Sequence, residues 1–379
     1  MMMRVYGSSE LVSDVIQRDL CIGCGACMSL CPYFRSHHGT TVMLFPCTQQ
    51  NGRCHAYCPK VEVDLDEVSQ ALFGYPYPNS ALGVVRSINT ARAGDKIARD
   101  LVQAGGTVSS LMVYALTTGA IDAAILTDRK GLLPVPRIVT SPGDVLKYAA
   151  SKYTASPTLS AFNQALKDGY RRIGVVATPC QSLALAQMRL NPTQIENFHD
   201  PTAIVVGLFC TWALDYQAIE RFLAERVAID TIRKLDIPPP PAEILDVYTR
   251  EGKISFPLAE IRKLVPNTCA YCFDMTAEFA DIAVGVLEGR PDTNTLIVRT
   301  ERGEKLVEGA VREGYLIVKN MPKANLEHLR EAAANKKRRA LKKALDEGMV
   351  NTATEGKRAY LRLSPEAVAI IARETGGVA

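Results

Sequence analysis

Seven of the chain's 11 cysteines fall between residues 21 and 58, and this crowding constrains the fold more than any other feature. The first group runs Cys21, Cys24, Cys27, Cys31, then Pro32. Three thiolates separated by two residues each can wrap one four-iron cube. The small residues Gly23, Gly25 and Ala26 let backbone N–H groups approach its sulfides. Pro32 then turns the chain away without an N–H to satisfy. Zinc more often uses two separated C-x2-C pairs, so the run favours iron–sulfur over a structural zinc knot. The total is odd and residues 1–17 hold no apolar signal block, which argues against a disulfide framework.

The second group is Cys47, Cys54 and Cys58, followed by Pro59. A regular repeat would place a cysteine near residue 50, where the chain has Gln50. In two-cluster bacterial ferredoxins the fourth cysteine of a run ligates the other cluster. By that crossover rule Cys21, Cys24, Cys27 and Cys58 hold one [4Fe-4S] cluster. Cys31, Cys47 and Cys54 are left for a second. Three thiolates suit a [3Fe-4S] cluster, or a [4Fe-4S] cluster with one non-cysteine ligand. The spacing C-x6-C-x3-C-P also resembles the three-iron half of seven-iron ferredoxins, where it is one residue longer. His55 lies inside this run and is read as exposed in preference to the odd ligand. His37 and His38 are read as solvated.

Beyond the leader the pattern changes. Asp95 to Gln103 reads as an amphipathic helix, interrupted by Gly105-Gly106. Thr107 to Thr118 reads as a second helix, Gly119 as its C-cap, and Ile121 to Leu126 as a short buried strand. Ile173 to Ala177 is an apolar run of strand length. The loop Thr178-Pro179-Cys180-Gln181 leads into a helix from about Ser182 to Arg189. Ala203 to Phe209 is the next strand, ending at Cys210. Short apolar strands alternating with helices indicate a mostly parallel α/β sheet. If the two strands are parallel neighbours, Cys180 and Cys210 meet at one sheet edge. Cys269 and Cys272 form a C-x2-C pair, and the four together make a further four-thiolate site, read as [4Fe-4S]. The competing reading is two packing cysteines plus a zinc hairpin.

Gly105-Gly106 before a helix start leaves backbone N–H groups accessible, and Thr107 and Ser109 add hydroxyls, a pattern that suits a phosphate. Helix–turn–helix junctions use the same residues. Ser151-Lys152-Tyr153 is a second possible anion site, weighed against a surface lysine beside a packed tyrosine. With 47% hydrophobic and 22% charged residues the chain is neither disordered nor fibrous. A net charge of +4 gives no argument for nucleic acid. The longest apolar stretch, Ala203 to Leu214, is shorter than the ~18 residues of a membrane span. A cytoplasmic chain without a membrane span is therefore expected.

Taken together, the segments 104–128, 151–157 (SKYTASP), 175–185 (VVATPCQSLAL), 207–210 (GLFC) and 268–285 resemble the family of coenzyme F420 hydrogenase/dehydrogenase beta subunits. The resemblance covers roughly residues 85–345, plus the ferredoxin-like leader found in many members. It implies FAD bound beside a [4Fe-4S] cluster, with the deazaflavin F420 at the flavin face. Carried over, Cys180, Cys210, Cys269 and Cys272 become that cluster's ligands. Gly105, Gly106, Thr107, Val108 and Ser109 would touch FAD. Ser151, Lys152 and Tyr153 would lie near the flavin or its phosphates, and Thr178 and Gln181 at the cluster–flavin junction. The irregular second half of the leader departs from the usual pattern and leaves its cluster type open.

The expected fold is α/β. An N-terminal two-cluster ferredoxin-like α+β domain (1–68) is followed by a mostly parallel flavin/iron–sulfur domain (85–160 and 165–345) and an extension (346–379). The expected function is an oxidoreductase subunit converting hydride transfer at FAD into single-electron transfer through clusters. No side chain is required as a catalytic acid or nucleophile. The chain shows no nickel-ligand or molybdopterin signature, so a partner is expected: a hydrogenase, a formate dehydrogenase, a heterodisulfide-reductase-like module or ferredoxin. An F420-independent electron-transfer subunit and a zinc-stabilised scaffold are the alternatives. Lys336, Lys337, Arg338, Arg339, Lys342 and Lys343 read as a solvated helix face in preference to a docking patch. Prolines 238–241 read as a stiff connector.

Overall fold

A computed structural model describes residues 5–78, 80–98, 102, 104–239, 241–352 and 358–373. Its main body is an eight-stranded sheet. The strands are β1 (Ser87–Ala93), β2 (Ala123–Lys130), β3 (Leu133–Val139), β4 (Ile173–Ala177), β5 (Thr202–Leu208), β6 (Ile282–Leu287), β7 (Arg290–Val298) and β8 (Leu316–Asn320). Their order is β8-β1-β7-β6-β5-β4-β2-β3. The central four, β6, β5, β4 and β2, run parallel. Antiparallel strands extend both flanks.

Five helices matter for the site: α1 (Thr107–Thr117), α2 (Thr158–Lys167), α3 (Pro179–Arg189), α4 (Glu301–Arg312) and α5 (Lys323–Asp346). Helices α1 and α4 cover one face of the sheet, α2 and α3 the other. Alternation along β5 serves both layers: Val206 packs under α1 and α4, Val205 under α2 and α3. Strand β4 spans the residues its apolar run predicts. Helix α3 starts three residues earlier than expected, because Thr178 and Gln181 form a capping box around it. Strand β2 runs four residues past its expected end, since it pairs with β3 as a hairpin. Of the helix expected over 95–103, residues 95–97 form turns and a bend, and residues 99–101 and 103 lie outside the described residues.

The leader holds a hairpin (Phe34–His37 with Thr40–Met43) and two short helices, Ser8–Leu11 and Arg53–Ala56. Its strand Val63–Asp64 pairs in parallel with Leu361–Arg362, which pairs with Val350–Asn351. Leader and C-terminal segment therefore share one apolar core, with Val15, Phe34, Val63 and Val68 against Leu341, Met349, Leu361 and Leu363. Between β5 and the C-x2-C pair an inserted unit forms its own core around Ile219, Leu223, Leu245, Val247 and Ile261. The proline connector joins two strands of this unit, and Pro240 lies outside the described residues. Among the described residues no helix is long and apolar enough to cross a membrane.

Candidate iron–sulfur centres at the carboxyl edge of the sheet

The leader docks where the parallel strands end. Leu159 at the start of α2 donates its N–H to Cys24 O at 3.1 Å. Asn163 on the same helix donates to Ala26 O and Met28 O at 3.0 and 2.8 Å. Gly25 has φ +86°, and a Cβ there would meet Pro157 O at 2.5 Å. A side chain would therefore push the leader off the α/β body.

Cys21, Cys24, Cys27 and Cys58 line a single cavity, walled by Leu11, Val15, Ile16 and Ile22. This is the set the crossover rule selects. Burial pushes the Cys58 thiol up to about 12. Burial, then the neighbouring Cys58 and Cys180 thiols, pushes Cys24 well above its ordinary value. Cys27 is raised by burial, by Cys58 and Cys21, and also by Cys54. Cys54 is lifted to about 11, chiefly by burial, with Cys31 and Cys47 adding. Among the described residues no three Cys, His, Asp or Glu close up around the point a single ion would occupy.

Cys180 sits in the first turn of α3, with Thr178 Oγ1 at 3.2 Å from its sulfur. Cys210 follows the end of β5 by two residues and donates its N–H to Met275 O. Cys269 and Cys272 flank the end of a short 3-10 turn, Asn267–Tyr271. Burial, then Cys272, pushes Cys180 up to about 11. Cys210 is raised by burial against the pull of Lys336, with Cys269, Cys180 and Cys272 adding. The leader and the sheet edge meet beside these thiols: Gln187 on α3 donates to Cys58 O at 3.0 Å, and Lys60 donates to Thr268 O, next to Cys269, at 3.2 Å.

Charges hold the loop that follows the C-x2-C pair. Asp274 accepts from Thr276 N and Glu278 N. Glu278 pairs with Lys337 at 2.9 Å and accepts from Tyr77 Oη. Asp281 accepts from Val205 N on β5, Thr300 Oγ1 and Arg302 Nε, which ties the loop to the sheet and α4. Arg299, 1% exposed, donates to Leu82 O, Val84 O and Thr276 O. Lys336 and Lys337 are buried, which corrects the solvated reading of both. Arg339 and Lys342 of the same run are exposed as expected. Sequence reasoning missed this network; the one available signal was the density of Asp and Glu after the C-x2-C pair.

His55 is buried, not exposed as expected. Its ring meets Tyr6 edge-on at 5.3 Å, and neither nitrogen has a hydrogen-bond partner among the described residues. Burial draws it down to about 4. His37 and His38 are exposed, with His38 stacked over Tyr216.

The residues expected at FAD lie along the same carboxyl edge. Gly106 caps α1 with φ 72°, and Gly105 packs so tightly that a Cβ would meet Asn294 Oδ1 at 2.5 Å. Asn294 accepts the Thr107 N–H at 3.3 Å. Among the described residues Thr107 Oγ1 is buried without a partner, while Val108 and Ser109 are half-buried. Lys152 donates to Tyr148 O, Ala149 O and Ala150 O, and burial lowers it to about 8. Tyr153 O accepts from Leu214 N, which brings the exposed Ser151 and its neighbours alongside the segment after Cys210. Tyr153 Oη donates to Asp236 and accepts from Ile237 N. Gln181 donates to Ser156 O and accepts from Thr178 N.

A 4Fe-4S binding domain model matches residues 14–33. With the mixed α/β sheet, that defines an iron–sulfur protein of the α/β class. The chain belongs to the family of coenzyme F420 hydrogenase/dehydrogenase beta subunits: the model of its N-terminal part matches residues 88–163 and that of its C-terminal part residues 170–324. The coenzyme F420 hydrogenase beta subunit of Methanococcus voltae is 32% identical over 63% of this chain and 86% of its own length. A component of the F420H2 dehydrogenase of Methanosarcina mazei is 29% identical over 83% of this chain and 89% of its own. A chain of the F420-reducing [NiFe] hydrogenase complex from Methanosarcina barkeri superposes with a TM-score of 0.65. It is 28% identical, over 70% of this chain and 93% of that one.

Proposed function

We propose that this chain is the subunit of a redox complex that exchanges a hydride with coenzyme F420 at FAD and passes electrons singly through three iron–sulfur centres. The observation that carries the reading is the docking of the leader's four-thiol cavity against the helix of Cys180 and the loop of Cys269. Cys21, Cys24, Cys27 and Cys58 share one cavity, and Gln187 on α3, the helix that carries Cys180, donates to Cys58 O at 3.0 Å. When bound, FAD supplies two-electron hydride chemistry and the clusters one-electron chemistry.

This chain's residues hold and shield those groups. Cys21, Cys24, Cys27 and Cys58 hold a [4Fe-4S] cluster in the cavity they line, with Leu11, Val15 and Ile22 excluding water. Cys180, Cys210, Cys269 and Cys272 hold another, and Thr178 and Gln181 fix the helix turn that presents Cys180. Cys31, Cys47 and Cys54 hold the third, of three or four irons. Thr107 Oγ1 at the start of α1, buried and without a partner among the described residues, supports a phosphate-bearing ligand there. Ser109, Ser151, Lys152 and Tyr153 complete the FAD-facing edge. The partner is a hydrogenase, a formate dehydrogenase or a heterodisulfide-reductase-like module, or ferredoxin.

Anaerobic purification with iron, acid-labile sulfide, zinc and flavin quantified on one sample tests the reading. About 11–12 iron per chain with one FAD is expected. Bleaching of the flavin by reduced F420 then follows. Reduction by ferredoxin but not by reduced F420 would remove F420 from the assignment, and zinc without sulfide or flavin would end it.

A further inference from the structure

Two buried lysines stand beside the thiol groups. Lys60 and Lys336 are 3% and 5% exposed. An ammonium taken out of water needs a negative charge nearby. Lys337 shows the ordinary solution, an ion pair with Glu278. Neither Lys60 nor Lys336 has a carboxylate ion pair among the described residues. Lys60 Nζ donates to Thr268 O at 3.2 Å and to Tyr360 Oη at 3.3 Å. Lys336 Nζ donates to Cys210 O at 2.6 Å and Asp274 O at 2.8 Å.

Those partners locate both ammonium groups. Thr268 precedes Cys269, and Lys60 also lines the cavity of Cys21, Cys24, Cys27 and Cys58. Asp274 O is the carbonyl that receives the Cys272 thiol, and Cys210 O belongs to a ligand candidate itself.

We propose that Lys60 and Lys336 are the countercharges of the thiolate-held centres. Lys336 serves the Cys180/Cys210/Cys269/Cys272 centre alone. Lys60 stands between that centre and the Cys21/Cys24/Cys27/Cys58 centre and serves both. The inference rests on the iron–sulfur reading above. A one-electron reduction adds one negative charge, with no bond made or broken and no proton required. A fixed ammonium nearby favours the reduced form, and cluster potentials follow local charge. Both lysines are positioning residues and touch no substrate.

The test uses the full chain, purified anaerobically with its iron and sulfide quantified. It is titrated with dithionite at fixed pH and followed by electron paramagnetic resonance. Lys336→Gln is expected to lower the reduction equilibrium constant of one centre about tenfold, a shift of ~59 mV to more negative potential. Lys60→Gln is expected to shift two centres. Lys336→Arg and Lys60→Arg, which keep the charge, should hold the parent potentials. Full iron with unmoved potentials in the Gln variants overturns the proposal and leaves the iron–sulfur reading intact. A parent protein without sulfide overturns both. Where a Gln variant fails to load its centre, loading by the Arg variant supports the proposal. Loss in both variants overturns it, because shape rather than charge then decides.

Discussion

Asp281 shows how much one residue does here. Its carboxylate is fully buried and meets a strand N–H, a threonine hydroxyl and the guanidinium groups of Arg189 and Arg302. It fixes the end of the loop that begins at the C-x2-C pair. Removing one partner of a buried ion pair typically costs about 3–5 kcal/mol, because the remaining charge loses its counterpart. Asp281→Ala is expected to lower stability by that order, read by urea denaturation. A loss below about 1 kcal/mol would show that water replaces the carboxylate. In the sequence Asp281 was visible only as part of a family pattern. Its role depends on Arg189, Val205 and Arg302 arriving from three other elements.

At the scale of elements, helix α3 links local sequence to the site most directly. The capping box of Thr178 and Gln181 sets its first turn and so the position of Cys180. Thr178→Ala removes one cap acceptor and the hydroxyl contact to the Cys180 sulfur, at about 1 kcal/mol. The expected result is a small drop in thermal stability together with slower reconstitution of one centre by iron and sulfide. Unchanged reconstitution would mean that the turn is held by Pro179 and the sheet instead. The strands on either side were legible because five to seven apolar residues between polar turns have few alternatives. The lysines of α5 were not. A helix rich in charge reads as solvated until the elements over it are known, and here the C-x2-C loop and the segment of Tyr77 and Ser80 cover Lys336 and Lys337.

Across the whole molecule, the two chain ends form one body around the leader's thiols. Strands Val350–Asn351 and Leu361–Arg362 continue the sheet that Val63–Asp64 begins. A chain truncated after Gly348 uncovers Val63 and Leu65 of the shared core. It is expected to lose the leader's iron, about 7–8 atoms of about 11–12, and keep the four at the carboxyl edge. Iron analysis with sulfide quantification checks this, and full iron in the truncated chain would refute it. Gly25→Ala probes the other joint of the leader. A Cβ against Pro157 O at positive φ forces the leader outward, so magnetic coupling between neighbouring centres should weaken while iron content holds.

The sequence by itself determined the local chemistry of this protein. Cysteine spacing selected the four thiols that share a cavity, because three ligands within seven residues have little freedom to separate. Apolar runs marked β4 and β5 within a mostly parallel sheet, and the structure made the two parallel neighbours. Only the tertiary structure decided which charges lie inside. Lys60, Lys336, His55 and Arg299 carry ordinary polar side chains, and nothing local marks them as buried. Burial of a charge is decided by contacts between distant segments, and in this fold those segments are the leader, the C-x2-C loop and the long C-terminal helix.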